Sequence, residues 1–273
     1  MRSVAVTNAK GGVGKSTTPI NLAAALADLD CRVLIVDADP SGNASLGYFP
    51  TAVPSPGLAD VLLDGADPTA AAHFTGVEGV HLMPPGRGLG GCSDQMGSSQ
   101  GLGQGREFRI RRVMRTLAGT DAFDLVLVDT SPVQTPLNVS ILYAVDEVVI
   151  PIDPCVAALA GVRALEDLVR DVSEFRQELT DAGPVAITGV LITRADRTLV
   201  SRQVEAEVRS YFGALVYDRA VPTSVKFREA YARGVPLVKY DPYSPGALAY
   251  HAAAEVLLSR GRDRRPSAHS QAD

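Results

Sequence analysis

Between Asn8 and Thr18 the chain reads NAKGGVGKSTT. Glycines in such a run let the backbone fold closely around phosphate oxygens with its N–H groups turned inward, and a helix starting just after adds partial positive charge. A lysine then neutralises the β and γ phosphates, and a neighbouring hydroxyl joins the coordination shell of Mg²⁺. Lys15 and Ser16 fit those two tasks, with Gly11, Gly12, Val13, Gly14 and Thr17 completing the cradle. A short apolar run precedes the loop and a helical pattern follows it, the context that separates a phosphate loop from an ordinary glycine-rich turn. One lysine is enough to neutralise a bound phosphate, so Lys10 needs a task of its own.

Two further segments carry carboxylates suited to the same chemistry. In VDADPSGNAS, Val36 to Ser45, Asp37 and Asp39 stand at i and i+2 of an extended strand end and share one face. Asp-Pro and Ser-Gly are also turn formers, so this stretch reads equally well as a plain turn until the phosphate loop is considered. FDLVLVDTSP buries an apolar strand and ends it at Asp129, where a carboxylate holds the Mg²⁺ shell through water.

Strand-like runs recur at Ser3–Thr7, Arg32–Asp37, Val80–Pro84, Phe123–Asp129, Glu147–Ile152 and Ala186–Thr193, with helical spacing at Ile20–Leu29 and Val162–Phe175. Near-continuous apolar strands alternating with helices predict an α/β, doubly wound, mostly parallel sheet with helices on both faces and ligands at the carboxyl ends of the strands. Pro19 lacks an N–H and predicts a first helix that starts slightly late. One domain is expected over residues 1–259, with a glycine-rich stretch at 86–105 too poor in apolar residues to pack and a polar tail at 260–273. Between them, REFRIRRVMRTL (Arg106 to Leu117) reads as a basic amphipathic helix with a solvated charged face rather than a DNA site.

The 273 residues are 46% hydrophobic and 21% charged, an ordinary globular balance, and the net charge of −5 argues against a wholly basic nucleic-acid platform. Cys31, Cys92 and Cys155 have no paired spacing suited to zinc, an iron–sulfur cluster or a disulfide framework. With no leader-like segment and no run of roughly 18 apolar residues, a soluble cytoplasmic protein without membrane attachment is expected.

NAKGGVGKST resembles the deviant Walker A motif of the ParA/MinD superfamily of P-loop ATPases, whose distinguishing residue is the lysine before the double glycine. The resemblance implies that two subunits close face to face around two ATP molecules and that Lys10 reaches across to the partner's phosphates. Ala9 departs from the glutamine usual in the family. VDADPSGN resembles the family's D-x-D-P-Q-G-N motif with Ser41 in place of the glutamine. It implies that Asp39 orients or activates the attacking water and that Asp37 supports the Mg²⁺ shell or holds the loop. Thr130-Ser131-Pro132 replaces the family's small residue and two prolines, which predicts a looser turn. The likeness continues through residues 145–165, 189–196 and 220–250, where Thr193 and Pro222 are implied to flank the adenine.

Within the superfamily the chain looks most like a ParA-type partition ATPase, in which the ATP-bound dimer binds DNA without sequence preference and a ParB-like partner stimulates hydrolysis. Such a protein is cytoplasmic and associates with the nucleoid when ATP-bound. Arg197 and Lys226 match DNA-contacting positions, and Arg202, Arg228 and Arg233 add charge, whereas Thr223 stands where relatives often carry arginine. Positioning of a protein cargo is an alternative. A MinD-like membrane ATPase needs a free amphipathic C-terminus, but ALAYHAAAEVLLSRG aligns with a core-packing helix. The cysteine spacing gives no support to a reductase of the nitrogenase iron-protein kind. A small-molecule ligase of the dethiobiotin synthetase kind is the reading from a different class.

Overall fold

The apolar runs become strands because each is buried on both faces of one sheet. In this computed structural model, which describes residues 1–92, 108–132, 135–155, 158–180 and 182–262, β1 (Arg2–Val6) leads through the glycine-rich loop into α1 (Thr17–Ala27). There follow β2 (Val33–Ala38), α2 (Asn43–Leu46), α3 (Leu58–Leu63), β3 (His73–Phe74), β4 (Val80–Met83) and α4 (Arg109–Gly119). Next come β5 (Leu125–Thr130), α5 (Pro136–Ala144), β6 (Glu147–Ile152), α6 (Ala158–Leu179) and β7 (Ala186–Ile192). The described chain ends with α7 (Leu199–Phe212), a 3₁₀ turn (Gly213–Leu215), α8 (Lys226–Ala232), α9 (Leu237–Tyr240) and α10 (Pro245–Arg262).

The seven strands lie in the order β3-β4-β2-β5-β1-β6-β7, parallel except for the β3–β4 pair. Alternation along β5 divides the core in two. Val126 and Val128 pack with Ile110, Val113, Met114 and Leu117 of α4 and with α5 and α6, while Leu125 and Leu127 pack with Leu22 and Leu26 of α1 and Ala253 and Leu257 of α10. The register has a chemical consequence: Asp37 pairs with Asp129 across β2 and β5, and Val6 pairs with Asp129 across β1 and β5. The strand end that opens the phosphate loop therefore stands beside both carboxylates. From β1 the chain fills the sheet first on one side, through β2 and β4, and later on the other, through β6 and β7, so β1 stands at the switch point where such sheets bind ligands.

One local expectation holds and three change. α1 starts late, at Thr17, so Pro19 falls in the first turn, where an N–H has no intrahelical acceptor to lose. β3 is a two-residue antiparallel edge, too short to leave a pattern in sequence. Part of the glycine-rich stretch does pack: Leu89 and Cys92 are buried against the core, while 93–105 lies outside the described residues. α10 runs past the boundary expected at 259, because Arg260 donates to the carbonyls of Thr188, Leu215 and Ala214 and ties the helix to the sheet.

Candidate functional site

The loop after β1 is shaped by two glycines with positive φ, Gly12 (75°) and Gly14 (83°), a conformation that costs a side-chain-bearing residue strain. Asn8 braces its entry: its amide nitrogen donates to the Pro151 carbonyl (2.8 Å) and its Oδ1 accepts from Lys10 N–H (3.0 Å). Thr193 braces its middle, donating from Oγ1 to the Val13 carbonyl (2.7 Å). Inside the loop Lys15 is buried, and its Nζ donates to the Lys10 carbonyl (2.6 Å). Burial pulls the Lys15 ammonium below the ordinary lysine value, and Asp129 and Asp39 oppose that shift.

The carboxylates divide their work. Asp37 is fully buried; one oxygen accepts from the Ser45 N–H (2.8 Å) and hydroxyl (2.7 Å), the other from Asp39 N–H (3.3 Å). That makes it the brace of the 39–45 segment, one of the two tasks expected of it. Asp39 is half-buried, accepts from Ser41 N–H (2.9 Å) and faces the cavity. Asp129 is fully buried and neither of its oxygens has a hydrogen bond of proper geometry among the described residues, although the Ser16 hydroxyl is close enough to lower its pKa. Burial first and Asp37 second push Asp129 well above the usual carboxylate range. Burial raises Asp37 as well.

Such an orphaned carboxylate in a dry site beside a second one requires positive charge beyond Lys15. A divalent cation supplies it. Ser16 and Asp129 offer too few oxygens to fill an octahedral shell, so phosphate oxygens and water would complete it, the usual arrangement for Mg²⁺ in a phosphate loop. The residues present fit the ion.

Above the loop opens a cavity of about 670 Å³, lined among others by Gly11, Gly12, Gly14, Lys15, Ser16, Thr17, Asp39, Thr193 and Pro222. That volume suits a nucleotide. Lys10 is absent from its lining: its Nζ turns outward to Asp153 Oδ2 (3.3 Å) and Cys155 Sγ (2.9 Å). The bond to Cys155 does most to hold Lys10 above the ordinary lysine value; burial opposes it, and the bond to Asp153 adds a smaller push upward.

The residues expected to face DNA do not form one uniform patch. Arg197 and Arg202 are exposed before and within the first turn of α7. Lys226 is paired with Glu229 (3.0 Å) and lies over the Tyr240 ring. Arg233 stacks on that same ring, while Arg228 lines the nucleotide cavity.

Three residues of the site went unread in the sequence. Arg194, at positive φ (54°), reaches across to donate from Nη1 to the Gly12 carbonyl (2.8 Å). Phe227 and Tyr231, one turn apart on α8, also line the cavity. Their i, i+4 spacing puts them on one face of α8, a pattern that does not by itself separate cavity lining from core packing.

Fold and site together define a P-loop nucleotide-binding protein of the doubly wound α/β class. Comparison with known proteins narrows this. A family model described as AAA domain matches residues 1–181. The chain is 36% identical over 270 residues to the chromosome partitioning protein ParA of Caulobacter vibrioides, covering 98% of both chains. To the chromosome-partitioning ATPase Soj of Thermus thermophilus it is 37% identical over 261 residues, covering 95% of this chain and 96% of the relative. Among solved structures it resembles the cobyrinic acid a,c-diamide synthase of Mycobacterium smegmatis with bound ATP analogue and magnesium, with a TM-score of 0.78, 30% identity and 97% of each chain covered. The chain belongs to the ParA/Soj group of the ParA/MinD family of P-loop ATPases.

Proposed function

We propose that this chain is an ATP-driven partition switch: Mg²⁺ and ATP close two copies face to face, the closed dimer holds DNA without sequence preference, and a ParB-like partner speeds hydrolysis that reopens it. The observation that carries this reading is the outward turn of Lys10. Lys15 already serves its own cavity, while Lys10 lies outside that cavity and rests on Asp153 and Cys155. A cation turned away from its own cavity is suited to serve a triphosphate in a facing copy, where its arrival would add charge that phosphoryl transfer needs. Nucleotide binding and dimerisation become one linked equilibrium.

In this reading Lys15 and the loop N–H groups hold the phosphates, Ser16 and Asp129 hold Mg²⁺, and Asp37 keeps Asp39 above the γ-phosphate. When bound there, Mg²⁺ would offset the charge of the phosphate oxygens. Asp39 orients the attacking water. Arg197, Arg202 and Lys226 supply DNA contacts, with Lys226 first exchanging Glu229 for a phosphate. Arg228, at the cavity wall, reports nucleotide state rather than touching DNA directly.

Sedimentation with a non-hydrolysable ATP analogue and Mg²⁺ tests the reading. The wild type should dimerise, and Lys10→Ala should bind the analogue equally well yet stay monomeric; a wild type that remains monomeric removes the mechanism. A second reading, ATP-dependent synthesis on a small molecule, draws on the likeness to a protein named as a synthase. Hydrolysis that rises with DNA and a partner protein favours partition. Turnover that requires a metabolite favours the synthase.

A further inference from the structure

At the amino ends of the strands, some six residues of β1 and β5 away from the phosphate loop and so on the order of 20 Å distant, lies a second open groove, of about 1170 Å³. Arg111, Arg112 and Arg115 of α4 line one side and Arg176 of α6 the other. α4 presents them because its apolar residues Ile110, Val113, Met114 and Leu117 are spent on the core, leaving the arginines on the opposite stripe.

None of Arg111, Arg112 and Arg115 forms an ion pair among the described residues. Arg176 is only 5% exposed, yet its Nε has no hydrogen-bond partner; its other nitrogens donate to the Val145 carbonyl and approach Asp146 Oδ1 (3.6 Å). Among the described residues Asp146 is the single carboxylate lining the groove, and Ser3 already occupies it through its hydroxyl (2.7 Å) and N–H (3.3 Å). Burial and the nearby charge of Arg111 both disfavour the Arg176 cation, with Asp146 opposing. Among the described residues the three arginines of α4 thus have no counterion, and Arg176 shares the one carboxylate with Ser3.

We propose that this groove is an anion-binding surface for the phosphodiester backbone of nucleic acid, separate from the ATP-dependent face and indifferent to nucleotide state. Arg111 and Arg115 stand one helical turn apart, with Cβ atoms roughly 5–6 Å from each other, and guanidinium groups engage phosphate oxygens through paired N–H bonds. A linear ligand carrying one charge per repeat matches that row. The groove is too open to enclose a metabolite, and neither edge strand, β3 nor β7, lines it for a peptide to add to. Weak attachment here would keep an open, ADP-bound subunit near DNA after the dimer has let go.

Fluorescence anisotropy of a short labelled duplex of mixed sequence, read with ADP and Mg²⁺ and again with a non-hydrolysable ATP analogue, tests this across a salt series. With ADP at about 50 mM salt, wild type should bind weakly, and Arg111→Gln with Arg115→Gln should lose about tenfold. The slope of log affinity against log salt should shrink by about 2, one unit per lost phosphate contact. Unchanged ATP-analogue binding by the variant certifies its fold. Arg197→Glu with Lys226→Glu should remove only the ATP-dependent component, so failure of the partition reading and failure of this one are distinguishable. No binding with ADP, or binding the double variant retains, overturns the proposal. So does a groove that takes a labelled poly-glutamate peptide in an arginine-dependent way while ignoring the duplex.

Discussion

At the carboxyl ends of β1, β2 and β5 a buried lysine faces two buried carboxylates, whereas the groove at the amino ends gathers four arginines around one carboxylate. The first arrangement is dry and mixed in sign, and each group in it depends on the others and on a ligand to balance its charge. The second is largely wet and of one sign, and its members other than Arg176 cost little because water screens them. Removing a charge from the first end should therefore cost far more than removing one from the second.

The largest contrast comes from Lys15→Ala. Calorimetry with an ATP analogue and Mg²⁺ should show affinity reduced by about 100-fold or more, since truncating one member of a buried charge set costs roughly 2–5 kcal/mol. The paired Arg111→Gln and Arg115→Gln changes should leave that affinity within about twofold; a comparable loss from both would erase the distinction between the ends.

Asp39→Ala sharpens the comparison within the carboxyl end. Binding should survive, because Lys15 and the loop hold the phosphates, while single-turnover hydrolysis should fall by about 100-fold or more. Equal turnover in the variant would move the water-orienting task elsewhere.

Arg194→Ala removes one side chain to carbonyl bond at Gly12. Loss of such a bond, worth roughly 0.5–1.5 kcal/mol, predicts ATP-analogue affinity about 2–12-fold weaker. No change would mean that Thr193 alone holds the loop in shape.

The smallest effect belongs to the amino end. Arg32 grips Asp124 through two nitrogens (2.8 and 3.1 Å), and that hydrogen bonding lowers the Asp124 pKa to about 2. A carboxylate with a depressed folded-state pKa stabilises the fold above its unfolded value near 4, and the contribution disappears as pH falls toward 2. Asp124→Asn should lower the melting midpoint by about 2 °C at pH 7, with the gap closing between about pH 4 and pH 2. A gap that persists at pH 2 would assign the effect to the backbone contacts instead.

Much of the fold was legible because its strands are short, apolar and β-branched; β6 occupies the expected Glu147–Ile152 to the residue. β3 escaped because two residues carry no period. Pro19 was legible as the sign of a slightly late helix start, and α1 begins at Thr17, which leaves the proline in the first turn. In the site, Lys15 and the glycines were readable from spacing and Lys10 through the family resemblance, but the brace between Asp37 and Ser45 was not. Nor was Arg194, whose acceptor lies 182 positions away.

By itself the sequence determined everything that depends on neighbours along the chain: a glycine loop between a strand and a helix, a lysine on either side of its glycines, and carboxylates at strand ends. Tertiary structure decided which of those groups meet. The register of β2 against β5 set Asp37 beside Asp129, the packing of α4 and α6 brought four arginines to one groove, and Lys10 came to rest on Asp153 and Cys155. Local spacing sets conformation within a few residues, whereas charges far apart in sequence interact only after the sheet has closed and water has left.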